Sequence, residues 1–106
     1  MIEVFEKIEL LLPWEKCSGG LETELRNEVS PDHFLYGVEA VSLARRIDND
    51  DVLFFLPAHE KPLAVVHLTW SGKQDAHSDF PRTILFSSLE DWIENCLKLD
   101  HKEFEN

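Results

Sequence analysis

The chain has 106 residues, the length of one small domain, and 43% of them are hydrophobic while 29% are charged. This composition is typical of a folded globular protein and excludes an intrinsically disordered one. Its 21 acidic and 10 basic side chains give a formal net charge of −11 at pH 7. Because nucleic acids and anionic bilayer surfaces are also negative, the charge argues against both as partners.

Targeting and redox signals favour a cytoplasmic protein. No apolar run approaches the roughly 20 residues of a membrane span. The first residues, "MIEVFEKIELL", mix acids with apolar residues and have no basic leader, so we expect no secretory signal. Cys17 and Cys96 match no metal-ligand spacing, and we expect two reduced thiols, although the sequence leaves a disulfide open. We predict neither a metal nor a cofactor.

Two helices are predicted near the start of the chain. Apolar residues recur at helical spacing over about residues 2–11, before Pro13, with a first strand as the alternative. After "CSGG", the segment "LETELRNEV" repeats its apolar residues at every fourth position and carries acids in its first turn. This second helix ends before "SPDH", because a residue that precedes proline is disfavoured in helical geometry.

Four strands are predicted from Tyr36 onward, where the apolar period shortens to that of a strand. "VEAVSLARRI" and "VLFFLP" flank the turn residues "DNDD", and "LAVVHLTW" and "TILFSS" follow as further strands. If residues 52–56 pair with residues 63–67, then His67 lies opposite Val52 and both faces of the sheet are apolar. A second apolar face needs a cover, so a two-fold homodimer is one hypothesis.

The clearest predicted element is an amphipathic helix at the C-terminus. "SSLEDWIENCLKLDHKEF" places apolar residues on one helical face, and Ser88 with Asp91 resembles a capping box. The predicted fold is therefore a single α+β domain, residues 1–106. Its antiparallel four-stranded meander is packed by N-terminal helices and by the C-terminal amphipathic helix.

A histidine in an apolar strand is the first candidate for chemistry. His67 can act as a general base or bind a metal. Neither an H-x-H nor an HExxH spacing accompanies it, so a core histidine with a hydrogen-bonded partner is the simpler interpretation. The other four histidines fall in predicted loops or at a helix end, where we expect them to be solvated.

The segment "ARRIDNDD" supplies the other catalytic candidates, which are Arg45, Arg46, Asp50 and Asp51. The carboxylates of residues 48–51 can hold a cation, and the arginines can bind an anion. The simpler interpretation is an ion pair between one arginine and Asp50 or Asp51.

Four aromatic residues are candidates for a ligand or peptide groove: Trp14, Tyr36, Trp70 and Phe80. The alternative is that they cover one end of the sheet. No phosphate-binding loop is predicted, since "CSGG" and "WSGK" lack the glycine spacing of nucleotide motifs.

The segments "ARRIDNDD" and "VVHLTW" resemble those of a family of small uncharacterised bacterial proteins, over about residues 34–92. The resemblance implies a bacterial, cytoplasmic protein and transfers no catalytic role to any residue.

The leading hypothesis for function is a non-enzymatic protein-interaction or regulatory domain, of the immunity-protein type, that meets a basic partner. The alternative is a small hydrolase or metal-dependent enzyme in which His67 acts with the Asp48–Asp51 cluster. A third hypothesis is a structural subunit that associates through the second sheet face. Convergence of His67, an arginine and an aspartate in a solvent-open pocket would favour the enzyme.

Overall fold

One antiparallel sheet organises the chain in a computed structural model that describes residues 2–17, 19–74 and 80–106. Its five strands lie in the order β1-β2-β3-β4-β5. The elements are α1 (Ile2–Lys7), β1 (Trp14–Lys16), α2 (Glu22–Glu28), β2 (Val41–Arg46), β3 (Asp51–Phe55), β4 (Leu63–His67), β5 (Thr83–Phe86), α3 (Leu89–Trp92), a π-helical segment (Ile93–Leu97) and α4 (Lys98–Glu105). The last three run on as one C-terminal helix.

The α+β class and the antiparallel meander are confirmed, but the sheet has five strands rather than four. The additional strand is β1, in which Trp14 lies opposite Arg46. Three residues are too short to show the two-residue period that reveals a strand. Helix α1 also ends at Lys7, earlier than predicted.

The pairing of β3 with β4 differs from the prediction by one residue. Asp51, not Val52, lies opposite His67. The intervening loop sets this register, because the N–H of Leu56 donates to the carbonyl of Pro62 at 2.7 Å. A slip of one residue exchanges the faces on which side chains meet. Asp51 and His67 therefore share a face.

Both faces of the sheet are apolar, as predicted, and the chain packs a buried core against each of them. One face carries Asp51 and His67 and packs beneath α1 and the C-terminal helix; we call it the α4 face. The opposite face packs beneath α2 and the segment that follows α2, and we call it the α2 face. The core of the α4 face comprises Phe5, Trp14, Leu43, Ala44, Leu53, Leu63, Val65, Phe86, Trp92 and Leu97. The core of the α2 face comprises Leu21, Leu25, Val29, Leu35, Val52, Phe54, Leu56, Ala64, Val66 and Leu68. The second face therefore needs no second subunit to bury it.

An aromatic pair and a helix cap dock the C-terminal helix. The rings of Trp14 and Trp92 meet edge to face with their centroids 5.3 Å apart, a geometry worth about 0.5–1.5 kcal/mol beyond burial. At the start of the helix, the N–H of Asp91 donates to the hydroxyl of Ser88 at 3.0 Å, which confirms the predicted cap. Docked in this way, the helix covers one end of the α4 face and leaves the other end exposed.

Candidate functional site

A row of polar residues crosses the sheet at the exposed end of the α4 face. Asp51 of β3 lies opposite His67 of β4. On the other side of His67, its N–H donates to the carbonyl of Arg82 at 2.9 Å, just before β5 begins. Residues directly opposite one another in an antiparallel sheet share a face. Asp51, His67 and Arg82 thus lie side by side on neighbouring strands and form what we call the polar row.

The polar row lines an open groove of about 470 Å³, here called the His67 groove. Its lining comprises Asp51, Val65, His67, Thr69, Phe80, Arg82 and Ile84. Ile84 is 61% exposed, so the floor of the groove presents an apolar side chain directly to solvent. The groove therefore combines charged groups along one side with an apolar floor, the chemistry of many ligand sites.

Asp51 fixes the orientation of the His67 ring. Nδ1 of His67 lies 2.7 Å from Oδ1 of Asp51, and because a carboxylate only accepts, Nδ1–H is the donor. The side chain of His67 is 51% exposed. Within the described residues, Nε2 of this ring makes no hydrogen bond. The interpretation of His67 as a core histidine is therefore wrong, and its second nitrogen is available to a ligand.

The buried histidine is His33, for which a solvated loop position was the expectation. The N–H of Leu35 donates to Nδ1 of His33 at 3.0 Å, so Nε2–H donates to the carbonyl of Pro81, also at 3.0 Å. Pro81 stands between Phe80 and Arg82. His33 therefore anchors the backbone between the groove residues Phe80 and Arg82. No local sequence signal indicates this role.

Arg82 supplies the cation of the groove. Its guanidinium carbon lies 5.4 Å from the centroid of the Phe80 ring, a cation–π contact. Among the described residues, no carboxylate forms an ion pair with Arg82. Arg82 was not predicted from the sequence, because its position beside His67 follows only from the strand register.

Arg46 belongs to a separate ion cluster. Its guanidinium donates to both carboxylate oxygens of Asp48 at 2.8 Å and lies 3.3 Å from Asp100 of α4. Asp100 also accepts from the indole of Trp14 at 2.8 Å. The hydrogen bonds that Arg46 donates to Asp48 raise the pKa of Arg46 above its usual value. An arginine is thus paired as predicted, but its partners differ from the two aspartates that the sequence suggested.

Arg45 and Asp50 do not reach the groove. Arg45 lies opposite Val52 and so belongs to the α2 face, while Asp50 is exposed in the turn before β3. In residues 2–17, 19–74 and 80–106, no three His, Cys, Asp or Glu side chains cluster as metal ligands. Of the five charged candidates, the structure brings His67 and Asp51 together.

The four aromatic candidates occupy different surfaces. Phe80 lines the His67 groove, whereas Tyr36 lines a separate cavity beside α2. Trp14 is buried in the core, and Trp70 is partly exposed in the turn after β4, at a φ of 60°. The structure therefore does not bring the four residues into one groove.

A buried glutamate holds the turn that follows β4. Glu28 is 1% exposed, and its two carboxylate oxygens accept the N–H groups of Thr69 and Trp70, both at 2.8 Å. Burial raises the pKa of Glu28 and neighbouring Glu24 raises it further, while the backbone donors lower it; the net shift is upward. Glu24 in turn accepts the N–H of Gly72 at 3.0 Å. Helix α2 thus fixes the polypeptide at the rim of the groove.

The cysteines offer no activated nucleophile at the groove. Cys17 and Cys96 are both free. The thiol of Cys96 donates to Asp100 at 3.4 Å. The pKa of this thiol is raised strongly, mainly by burial and secondly by the charge of Asp100. Since the thiolate is the reactive form, Cys96 is held in its unreactive state.

The fold and the groove define an acidic α+β domain with a solvent-open groove, and comparison with known proteins adds no relative. No family model, no curated protein and no solved structure matches the chain. Within the described parts of the chain, no helix combines the length and apolar character that crossing a bilayer requires.

Proposed function

We propose that the chain is a non-enzymatic protein-interaction or regulatory domain whose contact surface is the His67 groove. Arg82 carries this proposal, because it presents a positive charge without an acidic partner among the described residues of a chain whose net charge is −11. It lies beside Phe80 and the exposed Ile84. Arginine and aromatic side chains are enriched at protein interfaces.

Net charge and local charge play different parts in this proposal. The overall charge of −11 attracts a basic protein partner over long range and accelerates its encounter. The groove then supplies short-range contacts. A bacterial, cytoplasmic protein of the immunity type fits this arrangement. A second copy of the chain is disfavoured as the partner, because two chains of charge −11 repel each other.

A small hydrolase is the second candidate, and one observation favours it. His67, Asp51 and an arginine converge in a solvent-open groove, with Nδ1–H held by the aspartate and half of the His67 side chain exposed. That arrangement suits a general base acting on water. The groove lining lacks a Cys, Lys or Ser nucleophile among the described residues, and the hydroxyl of Thr69 donates to Ser71 at 3.1 Å. We prefer the binding role because it also uses Arg82 and the exposed Ile84.

Capture with matched variants tests the proposal. The immobilised chain is incubated at low salt with a lysate of the organism that encodes it, alongside Arg82→Gln and Lys98→Gln variants. Lys98 is an exposed α4 residue paired only with Glu94 among the described residues, so it controls for the loss of one surface charge. A protein retained by the wild type and Lys98→Gln but lost by Arg82→Gln supports the proposal. Equal retention by all three contradicts it.

An esterase assay tests the second candidate separately. Hydrolysis of p-nitrophenyl acetate is measured for the wild type and for His67→Gln. Turnover above the buffer rate that disappears in His67→Gln would favour the hydrolase. Identical rates for the two proteins would remove it as an esterase and leave the binding role in place.

A further inference from the structure

The backbone hydrogen bonds of β4 show which backbone groups of the neighbouring strands β3 and β5 are already bonded. The N–H of Leu68 donates to Asp50, on the β3 side, at 3.2 Å. The N–H of His67 donates to Arg82, on the β5 side, at 2.9 Å. In an antiparallel sheet such bonds alternate along the strand, so successive residues of β4 face opposite neighbours.

The same alternation identifies the outward-facing backbone groups of β5. Counting in steps of two from Arg82, the backbone groups of Ile84 and Phe86 face β4. Those of Thr83 and Leu85 face away from it. Among the described strands, β5 pairs with β4 alone. Within the part of the chain that the structure describes, two N–H groups and two carbonyls therefore form an open edge immediately beside the His67 groove.

The composition of β5 is that of an interior strand. Its sequence, TILF, contains β-branched and apolar residues but no charged residue and no proline. Natural edge strands are usually protected against pairing by lysine, proline or a bulge. Ile84, at the middle of this edge, is the most exposed large apolar side chain of the described residues. Such a strand is suited to accept another strand at its side.

We propose that the β5 edge and the His67 groove together bind an extended peptide segment of a partner protein. The segment adds beside β5 as a further strand and places an acidic side chain against Arg82. This inference rests on the proposed function and specifies its contact. Strand addition supplies main-chain hydrogen bonds, and alternate side chains of the segment would fall on the α4 face, beside Ile84 and Arg82.

Charge complementarity selects an acidic residue for the segment. Arg82 has no carboxylate partner among the described residues, and a guanidinium binds a carboxylate through two parallel hydrogen bonds. Only the segment that contacts Arg82 needs an acidic residue, so a partner whose net charge is basic can carry this segment.

Nuclear magnetic resonance of the full chain tests this inference with synthetic peptides. The probe is the N-acetylated and C-amidated hexapeptide Thr-Val-Glu-Val-Thr-Val, and the matched control replaces its glutamate by glutamine. We expect amide exchange at Thr83 and Leu85 to slow by about tenfold at saturation, because both N–H groups become bonded. The glutamate peptide should bind roughly three- to tenfold more tightly than the control.

Two variants and one modified peptide separate the contribution of the Arg82 charge from that of strand pairing with β5. Arg82→Gln should abolish the preference for glutamate over glutamine. Leu85→Pro removes an outward N–H without removing a β4 hydrogen bond. If that variant does not fold, a peptide N-methylated at alternate residues removes strand pairing with the protein unchanged, and it should not bind.

Several outcomes would overturn the inference. They are equal affinity for the two peptides, undiminished binding of the N-methylated peptide, or protection of Thr83 and Leu85 that rises with protein concentration alone. The last result would identify a second copy as the occupant. If no peptide binds while Arg82→Gln still abolishes partner capture, strand addition is wrong and the proposed function stands. If capture is unaffected, the proposed function itself fails.

Discussion

His67 and Asp51 face each other across the β3–β4 pair, joined by a hydrogen bond of 2.7 Å at the mouth of an open groove. The bond exists because the two residues occupy opposite positions in the strand register. It holds one imidazole nitrogen, and the other makes no hydrogen bond within the described residues. An ion pair that is half exposed to solvent contributes little to stability.

A double-mutant cycle measures what this pair contributes to folding. We expect His67→Gln, Asp51→Asn and the double variant to give a coupling free energy of about 0.2–1 kcal/mol, because half of the His67 side chain is in solvent. The measurement is urea unfolding followed by circular dichroism. A coupling of about 3 kcal/mol would show that the pair is a buried structural element instead.

Replacement of Glu28 should be much more costly. Glu28→Ala leaves the N–H groups of Thr69 and Trp70 without their acceptor, and we expect a loss of about 1–3 kcal/mol in the free energy of unfolding. Glu28→Gln should also destabilise the fold, since its amide offers one acceptor to two donors. Glu103→Gln, on the exposed side of α4, is the control. Wild-type stability of Glu28→Gln would refute the two-acceptor role.

The pair of Arg46 and Asp48 predicts a dependence of stability on acid. Hydrogen bonding from Arg46 lowers the pKa of Asp48 below that of the unfolded chain. The stabilisation is therefore complete above the unfolded pKa, about 3.9, and is lost as the pH falls through the lower folded pKa. Asp48 is partly exposed, so solvent screening keeps the effect small.

Urea midpoints at pH 7 and at about pH 3 check this dependence. Asp48→Asn should lower the midpoint at pH 7 and lose less stability on acidification than the wild type does. Asp32→Asn, at an exposed loop position, should lose as much as the wild type. Equal acid sensitivity of Asp48→Asn and the wild type would show that the ion pair contributes nothing.

Cys96 should resist alkylation in the folded protein. Burial and the nearby charge of Asp100 raise the pKa of its thiol, so very little thiolate is present at pH 8. In a Cys17→Ser variant, iodoacetamide should label Cys96 only after urea unfolds the chain. Mass spectrometry gives the extent of labelling. Rapid labelling of the folded variant would mean that the thiol is accessible and activated.

Much of the fold is predictable because its strongest signals are periodic and local. The C-terminal helix shows a continuous apolar stripe and a Ser88 cap, and the two apolar sheet faces are predicted by strands whose apolar runs do not alternate with polar residues. Strand β1 gives no such signal, since three residues contain too little of a period. The π-helical segment at Ile93–Leu97 is likewise invisible in the apolar stripe.

The site is less predictable because it depends on register. The loop between β3 and β4 decides whether His67 meets Val52 or Asp51, and a shift of one residue separates an apolar contact from an acid–base pair. Arg82 enters the groove only through its position beside His67. His33 is buried by contacts with a segment far along the chain. Such non-local contacts are not encoded in residue spacing.

The affinity of the captured partner for three forms of the chain tests the central claim most directly. Calorimetric titration would compare the wild type, Arg82→Gln and Lys98→Gln at one salt concentration. If the His67 groove is the contact surface, Arg82→Gln should weaken binding by about tenfold or more, since it removes a charged contact at the centre of the interface. Lys98→Gln should bind as the wild type does. Equal affinities for all three would contradict the claim.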